Sequence, residues 1–273
     1  MNFGSFAAFS KKPPNAPRVF VKEGAVKKVI ALIGLLVFMA SSTGTQAEEK
    51  RWSDEAEFSF VDTGGNTDTM SLAVKNLLKY TFTERLEGVW ELAALYGETD
   101  GVKTAERYSS ELRGNYLLNE RIYAALIAGW EKDKFAGIEA RYYSGPAIGY
   151  KFLIGPEHFL LSEVGLEYVT EAYTDNTDND FLRGRTFGQY EYAFSEKTRF
   201  KQTLEFLNNF EDSEDYNVNS ETSLITSLSD QLSLKTSYEL RYSHRPIPAT
   251  LDKTDTVLSV TFVINSSFAS LPI

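Results

Sequence analysis

From Trp52 to Ile264 the chain alternates apolar or aromatic residues on one parity with charged or small polar residues on the other. A period of two puts the two sets on opposite faces of an extended strand, which excludes a helical bundle. Leu232 to Tyr242 shows it most cleanly: Leu232, Leu234, Tyr238, Leu240 and Tyr242 face one way, and Ser233, Lys235, Ser237, Glu239 and Arg241 face the other. Similar segments run over 54–61, 70–82, 86–97, 105–117, 122–132, 140–152, 159–170, 181–194, 198–210, 216–228 and 254–264. Soluble strands usually span about five or six residues, whereas a tilted strand crossing a bilayer needs about nine to eleven. Most of these segments reach ten, so the expected fold is all-β: an antiparallel, up-and-down transmembrane β-barrel of about 12 strands.

The connections between segments sharpen this expectation. On one side they centre on Glu84, Asn119, Pro156, Glu196 and Asp230 and are short. On the other they cover 62–66, 98–104, 133–139, 171–180, 211–215 and 243–253 and are expected to be longer and more polar. Bacterial outer-membrane barrels have short periplasmic turns and longer outer loops, so the short side is assigned to the periplasm. Phe82, Trp90, Tyr96, Tyr108, Tyr116, Trp130, Tyr150, Tyr192 and Phe194 lie towards strand ends on the apolar parity, where interfacial aromatic girdles sit. A periplasmic sandwich or an open, lipid-binding half-barrel are the alternative folds.

Before residue 48 the pattern is different. Lys11, Lys12, Arg18, Lys22, Lys27 and Lys28 precede an apolar run from Val29 to Ala40. That run is too short for a membrane-spanning helix, which needs about 20 residues, and it fits the core of a secretion signal. Thr45-Gln46-Ala47 then offers small residues for cleavage before Glu48, so residues 1–47 are expected to be a signal peptide and 48–273 an outer-membrane barrel of a Gram-negative cell. Removing the segment takes six of 28 cationic residues and one of 38 acidic ones, leaving a mature chain near −15. Such acidity argues against nucleic acid as a partner. There is no cysteine, and hence no disulfide framework, thiolate metal site or lipid-anchored N-terminal cysteine.

If the apolar parity faces lipid, the other parity lines the lumen. The lumen-lining candidates are Arg107, Glu111, Arg113, Arg141, Glu163, Glu167, Arg183, Arg185, Glu191, Lys201, Glu205, Lys235, Glu239 and Arg241, with Glu57 and Asp255 beside them. Acids and bases are mixed, so the reading is a lumen closed or narrowed by ion pairs, or else a narrow solute pore whose selectivity these charges set. No catalytic, metal or cofactor site is expected. A barrel hydrolase would need a His base, and the only histidines, His158 and His244, fall in connections rather than beside a strand serine. Asp175, Asp178 and Asp180 fall within six residues and could offer oxygen ligands to a hard cation, but the stretch lacks the glycine and distal glutamate of an EF-hand loop.

Several stretches in order resemble the DUF481 family, described as salt-induced outer membrane proteins. They are Thr63-Gly64-Gly65-Asn66-Thr67-Asp68-Thr69, Ala105-Glu106-Arg107-Tyr108, Gly145-Pro146-Ala147-Ile148-Gly149-Tyr150, Ser220-Glu221-Thr222-Ser223-Leu224 with Leu228-Ser229-Asp230, and Lys253-Thr254-Asp255-Thr256. The resemblance implies an outer-membrane barrel, with no catalytic residues to transfer and a link to osmotic conditions. A barrel so placed has outer-membrane lipids and the barrel assembly machinery as expected partners, and its acidic outer loops could meet lipopolysaccharide through bridging divalent ions. The chain departs from such barrels in running past Phe262 to Ile273 rather than ending on an aromatic residue. A soluble periplasmic binding module and an outer-membrane lipid hydrolase are the rival functions. On a heat-modifiability gel of fractionated cells, the protein should appear in the outer membrane and migrate differently before and after boiling; recovery in the soluble periplasm would contradict the barrel.

Overall fold

The computed structural model describes residues 51–63, 69–247 and 249–265, and every expected segment within them is a strand. In chain order these are β1 (Trp52–Thr63), β2 (Thr69–Thr83), β3 (Leu86–Thr99), β4 (Val102–Leu117), β5 (Ile122–Asp133), β6 (Ile138–Ile154), β7 (His158–Tyr173), β8 (Asp178–Ala193), β9 (Thr198–Asn209), β10 (Tyr216–Ser227), β11 (Leu232–Ser243) and β12 (Thr254–Asn265). Each pairs antiparallel with its neighbours in sequence, and β12 closes on β1 to form a barrel. The expected signal segment and the tail after Asn265 lie outside the described residues.

The two parities separate as alternation demands. The outer face carries exposed Phe82, Leu126, Tyr168, Phe194, Leu204 and Leu258, the last 73% exposed. An apolar surface on this scale is a liability in water and is satisfied by lipid. At the short-turn end, pairs two residues apart on one strand stack edge to face: Tyr80 with Phe82 at 4.8 Å between centroids, Tyr150 with Phe152 at 4.9 Å and Tyr192 with Phe194 at 4.8 Å. These form one interfacial girdle. Polar groups on the outer face pair locally: the Gln202 amide donates to Ser220 Oγ at 2.9 Å and accepts from the Thr222 hydroxyl.

Loop lengths depart from expectation. The connection expected over 98–104 is only Asp100-Gly101, with φ of 50° and 79°, the two positive values of a type I′ hairpin turn that Asp-Gly favours. Those expected over 133–139 and 171–180 shrink to 134–137 and 174–177, and Asp178 and Asp180 pair within β8 against Ala172 and Thr170. Ladder hydrogen bonds need no apolar side chain, so strands continue past the point where the apolar pattern fades. The length asymmetry is therefore carried by 210–215 and 244–253. The connection 64–68 lies outside the described residues.

Not every apolar residue faces out. Ile122 to Ala128 is a continuous apolar run whose parity the sequence leaves open; Tyr123, Ala125 and Ile127 point inwards and cluster with Ala147. Here β5 and β6 place a tyrosine opposite a glycine twice, Tyr123 across from Gly149 and Tyr143 across from Gly129. In each case a Cβ on the glycine would collide with the ring, so the rings lie flat over the partner strand inside the barrel. Gly129→Ala and Gly149→Ala should each destabilise the folded barrel by about 1–3 kcal/mol through overpacking. Urea unfolding of the protein in vesicles, followed by tryptophan fluorescence, measures this.

Candidate functional site: the charged lumen

Inward positions of β4 to β9 hold a lattice of ion pairs. Glu163, whose side chain is 0% exposed, receives both Arg113 and Arg185 and also the Tyr123 hydroxyl at 3.0 Å. Arg185 reaches Glu205 at 2.6 Å, and Arg183 donates twice to Glu167 Oε2, at 3.0 and 2.6 Å. Glu167 Oε1 is buried without a hydrogen bond, with Arg185 Nε 3.9 Å away. Glu111 accepts from the Tyr143 hydroxyl at 2.8 Å. Nearer the outer mouth, Arg141 joins Glu171 and Glu131, and Arg241 joins Glu131 at 3.2 Å, Asp133 at 3.4 Å and Glu239 at 3.1 Å.

Two links reach across the interior rather than along one wall, the first being Arg241 on β11 to Glu131 and Asp133 on β5. In the second, Arg107 on β4 meets Glu239 on β11 at 3.1 Å, although β12, β1, β2 and β3 separate these strands round the wall. Lower down, Lys235 on β11 bridges Glu57 on β1 at 2.9 Å and Glu221 on β10 at 2.8 Å, and Lys75 on β2 meets Glu91 on β3 at 3.0 Å. Lys201 is the loosest of these cations, 3.9 Å from Glu191.

The fourteen lumen candidates stand at inward positions, and all but Glu111, which accepts from Tyr143, take part in ion pairs. Lys75, Glu91, Glu131, Asp133, Glu171 and Glu221 join them without having been singled out, although each stands at the same strand parity. The tyrosines were missed because aromatic character had been assigned to the lipid face.

Between these groups lies a cavity of about 2100 Å³, touching residues of the short-turn end such as Glu84, Arg121 and Lys197 and of the outer end such as Arg245 and Asp252. The connection 244–253 folds over the outer mouth: Arg245 pairs with Asp212, and the Ile247 carbonyl covers Gly137, which has no room for a Cβ. At that mouth burial pushes the Asp215 carboxyl above its usual range, against the opposing effect of a hydrogen bond from Asn209. The acidic stretch of Asp175, Asp178 and Asp180 does not converge. Asp175 caps its own turn by accepting from the Thr177 hydroxyl and N–H, which holds its carboxyl low, and no metal-binding group of three occurs among the described residues. His158 Nδ1 pairs with the Tyr190 hydroxyl at 2.9 Å; His244 lies between Tyr242 at 2.9 Å and Glu214 at 3.2 Å.

A closed antiparallel barrel with an apolar outside and an ion-paired inside belongs to the class of membrane-spanning β-barrels. The family described as protein of unknown function, DUF481, matches residues 56–265, and the chain belongs to that family. Among solved structures it is similar to an outer membrane channel from Pseudomonas putida F1, at 10% identity over 78% of this chain and 94% of that one, with a TM-score of 0.50. The translocator domain of autotransporter NalP from Neisseria meningitidis matches at 10% identity over 90% and 98% of the two chains, with a TM-score of 0.48. The NanC porin matches at 10% over 80% and 100%, with a TM-score of 0.45. Likeness at such identity concerns the fold alone. No curated protein matches the chain.

Removing one partner of a buried ion pair leaves a charge without compensation, which costs about 3–5 kcal/mol. Glu163→Gln should destabilise the barrel by about that amount, because it leaves Arg113 without its carboxylate and removes one of the acids that Arg185 pairs with. Adding Arg113→Met should recover part of the loss. Denaturant midpoints of the single and double variants in vesicles test both.

Proposed function

We propose that this protein spans the outer membrane of a Gram-negative envelope as a narrow channel for small polar solutes and ions, with a weak preference for cations, and that it catalyses no reaction. The carrying observation is the cavity, which touches both ends of the barrel and is lined by 20 carboxylates against 16 cationic groups. Spread over a hydrocarbon core roughly 30 Å thick, about 2100 Å³ corresponds to a mean cross-section of about 70 Å². That admits hydrated ions and small solutes and is narrower than the aqueous pores of sixteen-stranded porins. Excess carboxylate in a low-dielectric wall raises the local concentration of cations. Support for the absence of catalysis comes from the histidines, each bonded to a tyrosine on the outer side of the wall and neither to a serine. A purely structural barrel, its lumen closed by the same ion pairs, is the second reading and is favoured by the buried lattice around Glu163. Lipopolysaccharide around the outer rim and delivery by the assembly machinery belong to the same proposal, as does a role under changing salt.

Planar-bilayer recording in a salt gradient separates the readings. The channel predicts discrete conductance with a reversal potential on the cation side. Lys201→Glu, which changes the charge of the wall without breaking a tight pair, should raise the cation-to-anion permeability ratio several-fold. Silence across salts and voltages would leave the structural barrel.

A further inference from the structure

Within hydrocarbon a strand edge with unpaired N–H and C=O groups is strongly disfavoured, so a spanning barrel laces every seam. Eleven of the twelve seams here carry at least eleven paired positions. The seam between β1 and β12 carries four, from Glu55 opposite Asn265 to Phe58 opposite Phe262. Beyond them Ser59 Oγ donates to the Val260 carbonyl at 3.0 Å, and no further main-chain pair joins the two strands among the described residues. Both strands nevertheless continue outwards, β1 paired to β2 as far as Thr63 and β12 paired to β11 as far as Thr254. The outer half of this seam is therefore two bare edges, flanked by exposed Phe60, Leu258 and Val260.

The interior behind these edges is also unlike the rest. Between Glu57 and Asp255 the lumen-facing positions are Ser59 and Val61 on β1, Ala73 on β2, Leu95 on β3, and Val257 and Ser259 on β12, and none of these carries a charge. The patch ends where the register reaches Arg107 on one side and Glu239 on the other. Those two residues join each other across the interior, so a charged bar borders this uncharged stretch of wall.

We propose that the outer half of the β1–β12 seam is a lateral entry through which the acyl chain of a single-chain amphiphile passes from the membrane onto this uncharged inner wall, its polar head meeting the Arg107–Glu239 pair. The bare edges supply the opening, the uncharged wall accepts the chain, and a bar carrying both signs suits a zwitterionic head. The proposal rests on the barrel spanning a membrane and does not depend on ion conduction.

The test uses the full-length barrel in phospholipid vesicles with a lysophosphatidylcholine that carries a photoactivatable group on its chain. Mass spectrometry should find labelling at lumen-facing Ala73, Leu95 and Val257. Phe60→Cys with Val260→Cys would stand opposite each other if the ladder continued. Oxidation of that pair should lock the seam and lower the labelling at least several-fold, and reductant should restore it. Leu95→Lys, checked for folding by heat-modifiability, should lower labelling without touching either edge. Unlabelled lumen positions in the parent barrel, or labelling that survives the locked seam, would overturn the lateral entry. So would disulfides forming between copies instead of within one, since the edges would then be a pairing site for a second barrel. If labelling behaves as expected while no variant conducts, the channel reading fails and the lateral entry stands.

Discussion

Everything in this barrel follows from the absence of water around its backbone. A chain that crosses hydrocarbon must satisfy each N–H and C=O internally, and a sheet can do so only by closing on itself. Closure fixes which parity faces lipid and which is enclosed, and thereby forces charged side chains into a confined interior. The lattice around Glu163, Glu167 and Glu131 answers that confinement: carboxylates and guanidinium groups taken from water have mainly each other as compensation.

The lattice is not uniform round the wall. On the side of β4 to β9 the arginines, glutamates and inward tyrosines pack against one another, with Ile127 and Val169 filling the gaps. On the side of β1 to β3 and β9 to β11, below the level of Glu239 and Arg241, the pairs are built from lysine and glutamate, with Lys75 and Glu91 each about a third exposed. Arginine donates to two acids at once in a planar fork and so ties strands together; lysine makes point contacts and leaves space. The division between a packed wall and an open one is what makes a narrow passage compatible with a stable barrel.

Closure is also where the fold is weakest. Consecutive strands are joined by turns that hold their register, whereas β1 and β12 meet only by pairing ends of the described chain, and they do so over four positions. A seam without a covalent turn and with a partial ladder is the natural place for a barrel to open. The uncharged stripe of Ala73 and Leu95 lies behind it.

Much of this was legible in the residues. Alternation sustained over segments such as Leu232 to Tyr242 determined strand number, the apolar outside and the inward position of residues such as Arg183 and Glu205, because period two is a local property of an extended chain. Other features had no local signature. The Ile122 to Ala128 run is apolar on both parities, so only packing decided that Tyr123 and Ile127 turn inwards. Asp100-Gly101 carried a hairpin signal that the surrounding polar residues obscured. Which arginine meets which glutamate between strands depends on residues from 10 to 132 positions apart, and the bar from Arg107 to Glu239 and the partial β1–β12 ladder join residues more than a hundred positions apart. The sequence by itself determined that the chain alternates and must close; the tertiary structure decided how the enclosed charges pair and where the closure is incomplete, since both depend on side chains that meet only across the finished barrel.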